Sequence, residues 1–480
     1  MENTENESGS KNLDKEDYVF LPIIESIDPS IKGDVEAYLK TVVSPFDEKS
    51  ETVKTDSWIE WAKRLKYLKL VYTGVPDFIL PKNYSGELID VKVFCKRGPD
   101  DSIYDTYKLV RDRVSKISTS GSTTSGKYLF IYGVNVLFFM MKMDSLNQHT
   151  LVSYTISQPL EAVKKVVATR KANGEAAHLS CIRLDGQYLI CAGSKNVHVL
   201  IRNRGDISFY RGDRYRIASE VCHSIMDLLE EMTPAQKDRL LSFLVVSRFT
   251  AVFEILSPAH QHVENLSYLT KPVVQFITWT STELEPMPDK QLCTVPPHIG
   301  IQIARALGLK TIDYEVISNT EVDERMKQIR QGYQYEGEVL YFLDETDVVI
   351  GLLKKKTAWY ILCRAIREKA RASAASLLKN RSTFSLSKSI KQVEKRMDEI
   401  QKWLGLSDQV KDQWRDLGVS FISYCVKQLE NGYYSMEDIA ERFPIVWKDH
   451  LEASGFSDQI LVECTEEEDP SPLVEGAAAY

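Results

Sequence analysis

Lys171 opens the tetrapeptide Lys171-Ala172-Asn173-Gly174, and an amine in that setting can serve as a covalent nucleophile toward phosphorus. Such an amine attacks only when neutral, so its site needs neighbouring cations and partial desolvation to bring the lysine down from its ordinary pKa near ~10.4. Taken by itself, the tetrapeptide equally describes a surface lysine before an Asn-Gly turn. Four places downstream shift that balance. Gly193-Ser194-Lys195-Asn196 closes a hairpin and returns a cation toward the nucleophile. Phe253-Glu254 sets an isolated carboxylate in the apolar run Ala251-Val252-Phe253-Glu254-Ile255-Leu256, a costly burial unless the charge binds something. Tyr335-Glu336-Gly337-Glu338-Val339 puts a second carboxylate at a strand start, beside a glycine that permits close backbone approach. Lys354-Lys355-Lys356 sends Lys354 and Lys356 to one face of a strand. Two lysines on one face beside metal-binding carboxylates suit a triphosphate.

In order and local sequence these residues resemble the covalent lysine nucleotidyltransferases, more narrowly the phage-type ATP-dependent RNA ligases and the ligase domain of fungal tRNA ligases. The motifs of that family run Lys-x-Asp/Asn-Gly, Ser-Lys, Phe-Glu, Glu-Gly-x-Val and Lys-x-Lys. Lys171 to Gly174, Ser194-Lys195, Phe253-Glu254, Glu336 to Val339 and Lys354 to Lys356 match them, over roughly Ala168 to Arg367. Thr357-Ala358-Trp359-Tyr360 after the last motif is similar to the phage-type enzymes, and His262-Val263 after Phe253-Glu254 to the tRNA ligases. No single motif is specific; the five in order are.

The resemblance implies an ATP-dependent RNA ligase that joins 5′-phosphate and 3′-hydroxyl RNA ends through a lysyl-AMP intermediate. It makes Lys171 the covalent carrier of AMP. Lys354 and Lys356 contact the α-phosphate. Glu336 holds a catalytic Mg²⁺ (or Mn²⁺), and Glu254 binds the ribose or a second metal, two carboxylates plus nucleotide phosphates being enough for that ion. Asn173, Gly174 and Lys195 complete the nucleotide site, with Phe253 as an expected platform for adenine. An upstream arginine is also implied, for which Arg97 in Cys95-Lys96-Arg97-Gly98 is the nearest match, at long spacing. Two other outcomes stay open: the same lysine chemistry with another acceptor, as in DNA ligases or capping enzymes, and an inactive RNA-binding relative. Asn173, where those other enzymes usually carry Asp, favours RNA. The kinase and phosphodiesterase domains of the fungal enzymes have no counterpart, so the ends to be joined are prepared elsewhere.

Gly121 to Lys127 spells the start of a phosphate-binding P-loop, yet Tyr128 stands where Ser or Thr must ligate Mg²⁺, and a strand-like run follows instead of a helix. It reads as a flexible loop. A chain of 480 residues, 43% hydrophobic and 27% charged, is large enough for two or three cored domains. Its eight cysteines show no disulfide or metal spacing, which fits reduced thiols. The polar acidic start is no secretory signal, and Tyr128 to Met141 is too short to span a bilayer, so a cytoplasmic or nuclear protein with no membrane partner is expected. Net charge is −8, but unevenly spread: residues 1–56 hold 14 acidic against 6 basic side chains, while Lys354 to Met397 hold 13 Lys and Arg against Glu368 and Glu394. That basic stretch is the candidate for gripping an RNA backbone.

The patterns give an α+β fold, a mixed body followed by an all-helical C-terminal domain, and the resemblance implies that the body is a mixed antiparallel-sheet nucleotidyltransferase domain. The expected division is a disordered acidic N-terminus over 1–20, the adenylation domain with an N-terminal extension over 21–360, a helical domain over 361–460 and an acidic disordered tail over 461–480. Ser57 with Glu60 forms a capping box near which the fold begins. Ile89 to Met141 reads as β-rich. Asp185-Gly186 joins Ala177–Leu184 to Tyr188–Ala192 in a hairpin. Thr233-Pro234 starts a helix, and Phe249–Leu256 reads as a buried strand. Tyr335–Leu343 and Val348–Lys356 pair around a turn, and helical periodicity takes over beyond about Ile361.

Overall fold

The computed structural model describes residues 15–42, 68–82, 84–93, 114–119, 152–156, 158–195, 197–281 and 291–462. Helices α1 (Lys15–Glu25) and α2 (Lys32–Val42) come first, then strands β1 (Leu68–Gly74), β2 (Tyr84–Val93), β3 (Val114–Thr119) and β4 (Val152–Ile156). Next run β5 (Lys165–Arg170), β6 (Glu175–Leu184), β7 (Gln187–Ser194), β8 (His198–Ile201), α3 (Arg216–Glu231) and α4 (Pro234–Ser247). They lead to β9 (Phe249–Leu256), β10 (Val273–Ser281), α5 (Pro297–Ala306), β11 (Tyr314–Ser318), α6 (Val322–Gln331), β12 (Gly337–Leu343) and β13 (Val349–Lys356). From there the described chain is helical: α7 (Ala358–Lys379), α8 (Leu386–Leu404), α9 (Asp408–Glu430), α10 (Met436–Glu441) and α11 (Phe443–Ser454).

Two five-stranded antiparallel sheets carry the site, one ordered β10-β9-β6-β7-β8 and the other β11-β5-β12-β13-β4; β1, β2 and β3 make a third, smaller sheet. Local sequence explains several elements. Asp185 and Gly186 both take positive φ, 46° and 82°, the pair that a tight two-residue hairpin with native strand twist demands. Thr233 and Gln236 form a reciprocal capping box with Pro234 at the first turn of α4. Ser435 and Asp438 do the same for α10. The first sheet is backed by α3, α4 and α5 around Trp279, which is fully buried, touches Phe243 edge-to-face at 5.1 Å and donates its indole N–H to Gly300 O at 2.8 Å. Truncating such a side chain to alanine costs about 3–5 kcal/mol. A separate core around Trp414, Phe421 and Phe443 holds the helical part together.

The mixed α+β class with a helical C-terminal region is therefore observed. The N-terminal expectation needs correcting. Helix α1 begins at Lys15, inside the stretch read as disordered, and buries Val19, Phe20 and Ile23, with Phe20 edge-to-face on Phe243 of α4. Acidic flanks and Pro22 mask that apolar face in the sequence. The fold accordingly begins well before Ser57. The Ser57–Glu60 box, Gly121–Lys127, Tyr128–Met141 and the tail from Glu463 lie outside the described residues. Among the described residues no helix is long and apolar enough to cross a membrane.

Candidate active site

Residues 171–174 are the crossover from one five-stranded sheet to the other, for β5 belongs to the second sheet and β6 to the first. The crossover is pinned at both ends. Lys171 N donates to Gly337 O at 2.9 Å on the second sheet, and Gly174 N donates to Glu254 Oε1 at 2.9 Å on the first. Gly174 must be glycine for a steric reason: a Cβ there would stand 2.1 Å from Ile255 O. Between them Asn173 is buried and uses its whole amide. Nδ2 donates to Glu336 Oε2 at 2.7 Å and to Tyr360 Oη at 3.3 Å, while Oδ1 accepts from Val263 N at 3.0 Å and Glu264 N at 3.2 Å. One side chain thus ties together the crossover, the loop after β9, the start of β12 and the first turn of α7.

Glu336 is the electrostatic centre. Its Oε2 meets Lys171 Nζ at 3.0 Å and its Oε1 meets Lys356 Nζ at 3.4 Å, with the carboxylate itself buried. Lys171 Nζ also donates to Ala172 O at 3.2 Å, and Lys356 Nζ lies 5.1 Å from the Tyr360 ring centroid. Gly337 follows with φ of 145°, and a Cβ on it would come within 2.1 Å of Lys355 O, so glycine is what lets β12 close on β13 beside the carboxylate. Strand alternation puts Lys354 and Lys356 toward the site, with Lys354 almost wholly buried. Lys355 lies on the opposite face, across from Glu338, which Arg325 grips through two bonds of 2.8 and 3.0 Å. Glu254 is buried, and that burial pushes its carboxyl pKa up against the pull of Lys171 and the Gly174 N–H.

All of these groups open into one cavity of about 550 Å³, large enough for a nucleotide. Its far wall comes from α7, whose Thr357 cap accepts from Tyr360 N at 3.0 Å and so fixes the helix directly after Lys356. Arg364, Arg367 and Arg371, spaced three and four apart, turn one face of that helix into the cavity. Burial and the neighbouring Arg371 lower the Arg367 guanidinium to about 10, and its Nε is buried without a hydrogen-bond partner. His262 also lines the cavity, and burial together with the Arg367 charge lowers it to about 4, which keeps it neutral. Beside it Glu264 accepts from Glu336 N at 2.7 Å and is raised to about 7, chiefly by burial.

A family model described as Domain of unknown function (DUF7920) matches residues 97–367. The chain belongs to that family. None of the curated proteins matches it. Among solved structures, a Naegleria gruberi RNA ligase mutant with ATP and Mn is similar at 11% identity and a TM-score of 0.27, over 62% of this chain and 98% of its own, a likeness too slight to carry a claim. The DUF7920 stretch takes in Lys171 through Lys356 and ends at Arg367, within α7, leaving Arg371 just beyond it.

Within the DUF7920 stretch the structure brings together Lys171, Asn173, Gly174, Lys195, Glu254, Glu336, Lys354 and Lys356 around one cavity. Lys195 stands exposed at its rim. Phe253 is not among them and is corrected: alternation along β9 turns it away from Glu254 into the core, fully buried and edge-to-face with Phe276 at 5.8 Å, so it offers no face to a base. The apolar lining includes Ile217, Ile277, Ile312, Val263 and Val339 instead. Arg97 lies outside the described residues. Sequence reading missed Glu264 and the hydrogen-bonding role of Tyr360; the cap residue Thr357 ahead of Tyr360 is the signal that could have placed the latter. As for a divalent ion, no group of three His, Cys, Asp or Glu is gathered among the described residues. Two carboxylates, Glu336 and Glu254, line the cavity, and an ion held by one or two carboxylates takes its remaining ligands from phosphates and water.

Proposed function

We propose that this chain is an ATP-dependent RNA ligase in which Lys171 carries AMP. The observation that supports this reading most is the convergence of five separated motifs, from two sheets, on one cavity: Lys171, Asn173, Lys195, Glu254, Glu336, Lys354 and Lys356 all line it. A binding module has no use for a half-buried lysine surrounded by two further lysines and two buried carboxylates.

The Lys171 ammonium is paired with Glu336, and attack requires that this proton leave. The neutral amine then attacks the α-phosphorus of ATP; the N–P bond forms as the P–O bond to pyrophosphate breaks. Lys354 and Lys356 offset the charge that builds on the α-phosphate oxygens. A divalent ion bound at Glu336 and Glu254 would neutralise phosphate charge further. In the second step a 5′-phosphate oxygen of RNA attacks the same phosphorus, the N–P bond breaks and Lys171 recovers its electron pair, leaving AMP joined to the RNA end through a pyrophosphate linkage. In the third a 3′-hydroxyl attacks the 5′-phosphate, releases AMP and loses its proton, which completes the phosphodiester. The cationic face of α7 is suited to hold the RNA phosphate during the last two steps.

The test is incubation with α-labelled ATP or GTP and Mg²⁺, followed by a denaturing gel and acid treatment. An acid-labile label from ATP that disappears in Lys171→Ala is expected, with sealing of 5′-phosphorylated RNA. A label that survives the substitution would overturn the mechanism; labelling by GTP alone would favour capping, and sealing of nicked DNA alone another acceptor.

A further inference from the structure

Outside the cavity the body carries a second constellation that the proposed chemistry does not use. Phe78, in the turn after β1, and Phe209, closing the 3₁₀ turn Arg204–Phe209, place their rings 4.5 Å apart, yet they remain 46% and 53% exposed. Two adjacent rings that each leave about half their surface in water make a small exposed apolar patch. They are held firmly. Arg202 lies 5.4 Å from the Phe78 ring centroid, donates to Phe78 O at 2.7 Å, and is clamped by Asp206 through two bonds of 2.9 Å, so the platform is pre-formed.

Two further cations follow Phe209 closely in the chain. Arg211 and Arg214 are exposed, and Arg214 is aimed by bonds to Tyr72 O at 3.0 Å and Thr73 Oγ1 at 2.9 Å. Among the described residues neither meets a carboxylate, unlike Arg204, which Asp227 and Glu230 neutralise. The same segment then runs on into Ile217, which lines the cavity, eight positions after Phe209 and so within about 26 Å of chain.

We propose that Phe78, Phe209, Arg211 and Arg214 form a binding surface for single-stranded RNA leading to the cavity: the rings stack an unpaired base and the arginines hold the flanking phosphates. Paired bases hide their faces from an aromatic platform, so the surface selects single strands over duplexes. A protein partner fits less well, since two rings bordered by arginines make a small apolar area. The inference rests on the RNA ligase reading for its choice of partner, but its readout is separate.

The experiment is fluorescence polarisation of a labelled single-stranded oligoribonucleotide with the full chain and no ATP, across a salt series. Phe209→Ala should weaken binding about 10-fold, with Phe209→Trp restoring it and showing indole quenching when RNA is added. The double change R211A/R214A should flatten the slope of log K against log salt by about 1.4, as expected for two lost single-strand phosphate contacts. Formation of lysyl-AMP from ATP should be unchanged in all of them. Equal affinity of Phe209→Ala and the parent chain would overturn the proposal, and so would a duplex that competes as well as the single strand. A parent chain that binds RNA through this surface yet forms no lysyl-AMP would overturn the ligase reading while leaving the surface standing.

Discussion

Glu336 Oε2 lies 3.0 Å from Lys171 Nζ and 2.7 Å from Asn173 Nδ2, so one carboxylate oxygen holds both the amine and the residue that fixes the crossover carrying it. Removing the charge while keeping the shape separates the two duties. Glu336→Gln retains an oxygen for Asn173 but no longer offers an anion to Lys171, Lys356 or a divalent ion. Lysyl-AMP formation should fall by at least about 100-fold. Single-turnover labelling of the variant measures this, and a rate within a few-fold of the parent would remove Glu336 from the mechanism.

Gly174 makes a prediction about stability as well as activity. An alanine there would press its Cβ against Ile255 O, which would otherwise lie 2.1 Å away, and the backbone must give way between β6 and β9. A loss of roughly 2–4 kcal/mol is expected, with the Gly174–Glu254 bond broken. Gly33→Ala in α2 is the control, since nothing lies within 4 Å of its new methyl; it should be neutral or stabilising by up to about 1 kcal/mol. Urea midpoints of the two variants would decide, and equal midpoints would contradict the steric reading.

What could be read from the sequence was local in origin. Asp185-Gly186, Thr233-Pro234 and Ser435-Asp438 carry their conformations in a few neighbouring residues, and each formed the element expected of it. The residue types that line the cavity were legible in order. Its assembly was not, because β5 pairs with β12 and β6 with β9 across long stretches of chain, and no local pattern encodes which sheets meet at the crossover. Phe253 shows the limit at one residue: every position of β9 is buried, so the alternation that would tell core from cavity is erased. The arginines of α7 show it for a whole element. Their charge was evident, but their aim into the cavity follows from how Thr357 and Asn173 dock that helix.

His262 and Glu264 sit two residues apart and shift in opposite senses. Burial lowers His262 to about 4, so the unfolded chain binds more protons there and its contribution to stability rises as pH climbs from about 4 to 6.5. Burial raises Glu264 to about 7, so the folded chain binds more protons there and its contribution is full below about pH 4.5 and lost as pH rises toward 7. The two nearly cancel in the parent chain. Glu264→Gln should therefore gain stability relative to the parent as pH goes from 4.5 to 6.5, and His262→Gln should lose it, each by on the order of 3 kcal/mol. Urea unfolding of the three proteins across that range checks the signs; parallel curves would mean that neither group is perturbed.

In the proposed mechanism Arg367 and Arg371 serve RNA and not ATP. Both line the cavity from α7, and no carboxylate among the described residues pairs with either, whereas Arg364 is partly spent on Glu368 at 3.2 Å. If they hold the RNA phosphate, the first step never needs them. Arg367→Ala and Arg371→Ala should leave labelling of Lys171 within about 3-fold of the parent and slow sealing of 5′-phosphorylated RNA by about 10-fold or more. Lysine at position 367 should recover only part of the loss, because a point charge replaces a planar fork. Rates of the two steps measured separately decide the matter: if labelling falls as far as sealing, these arginines serve the phosphates of ATP, and the RNA end must be held elsewhere.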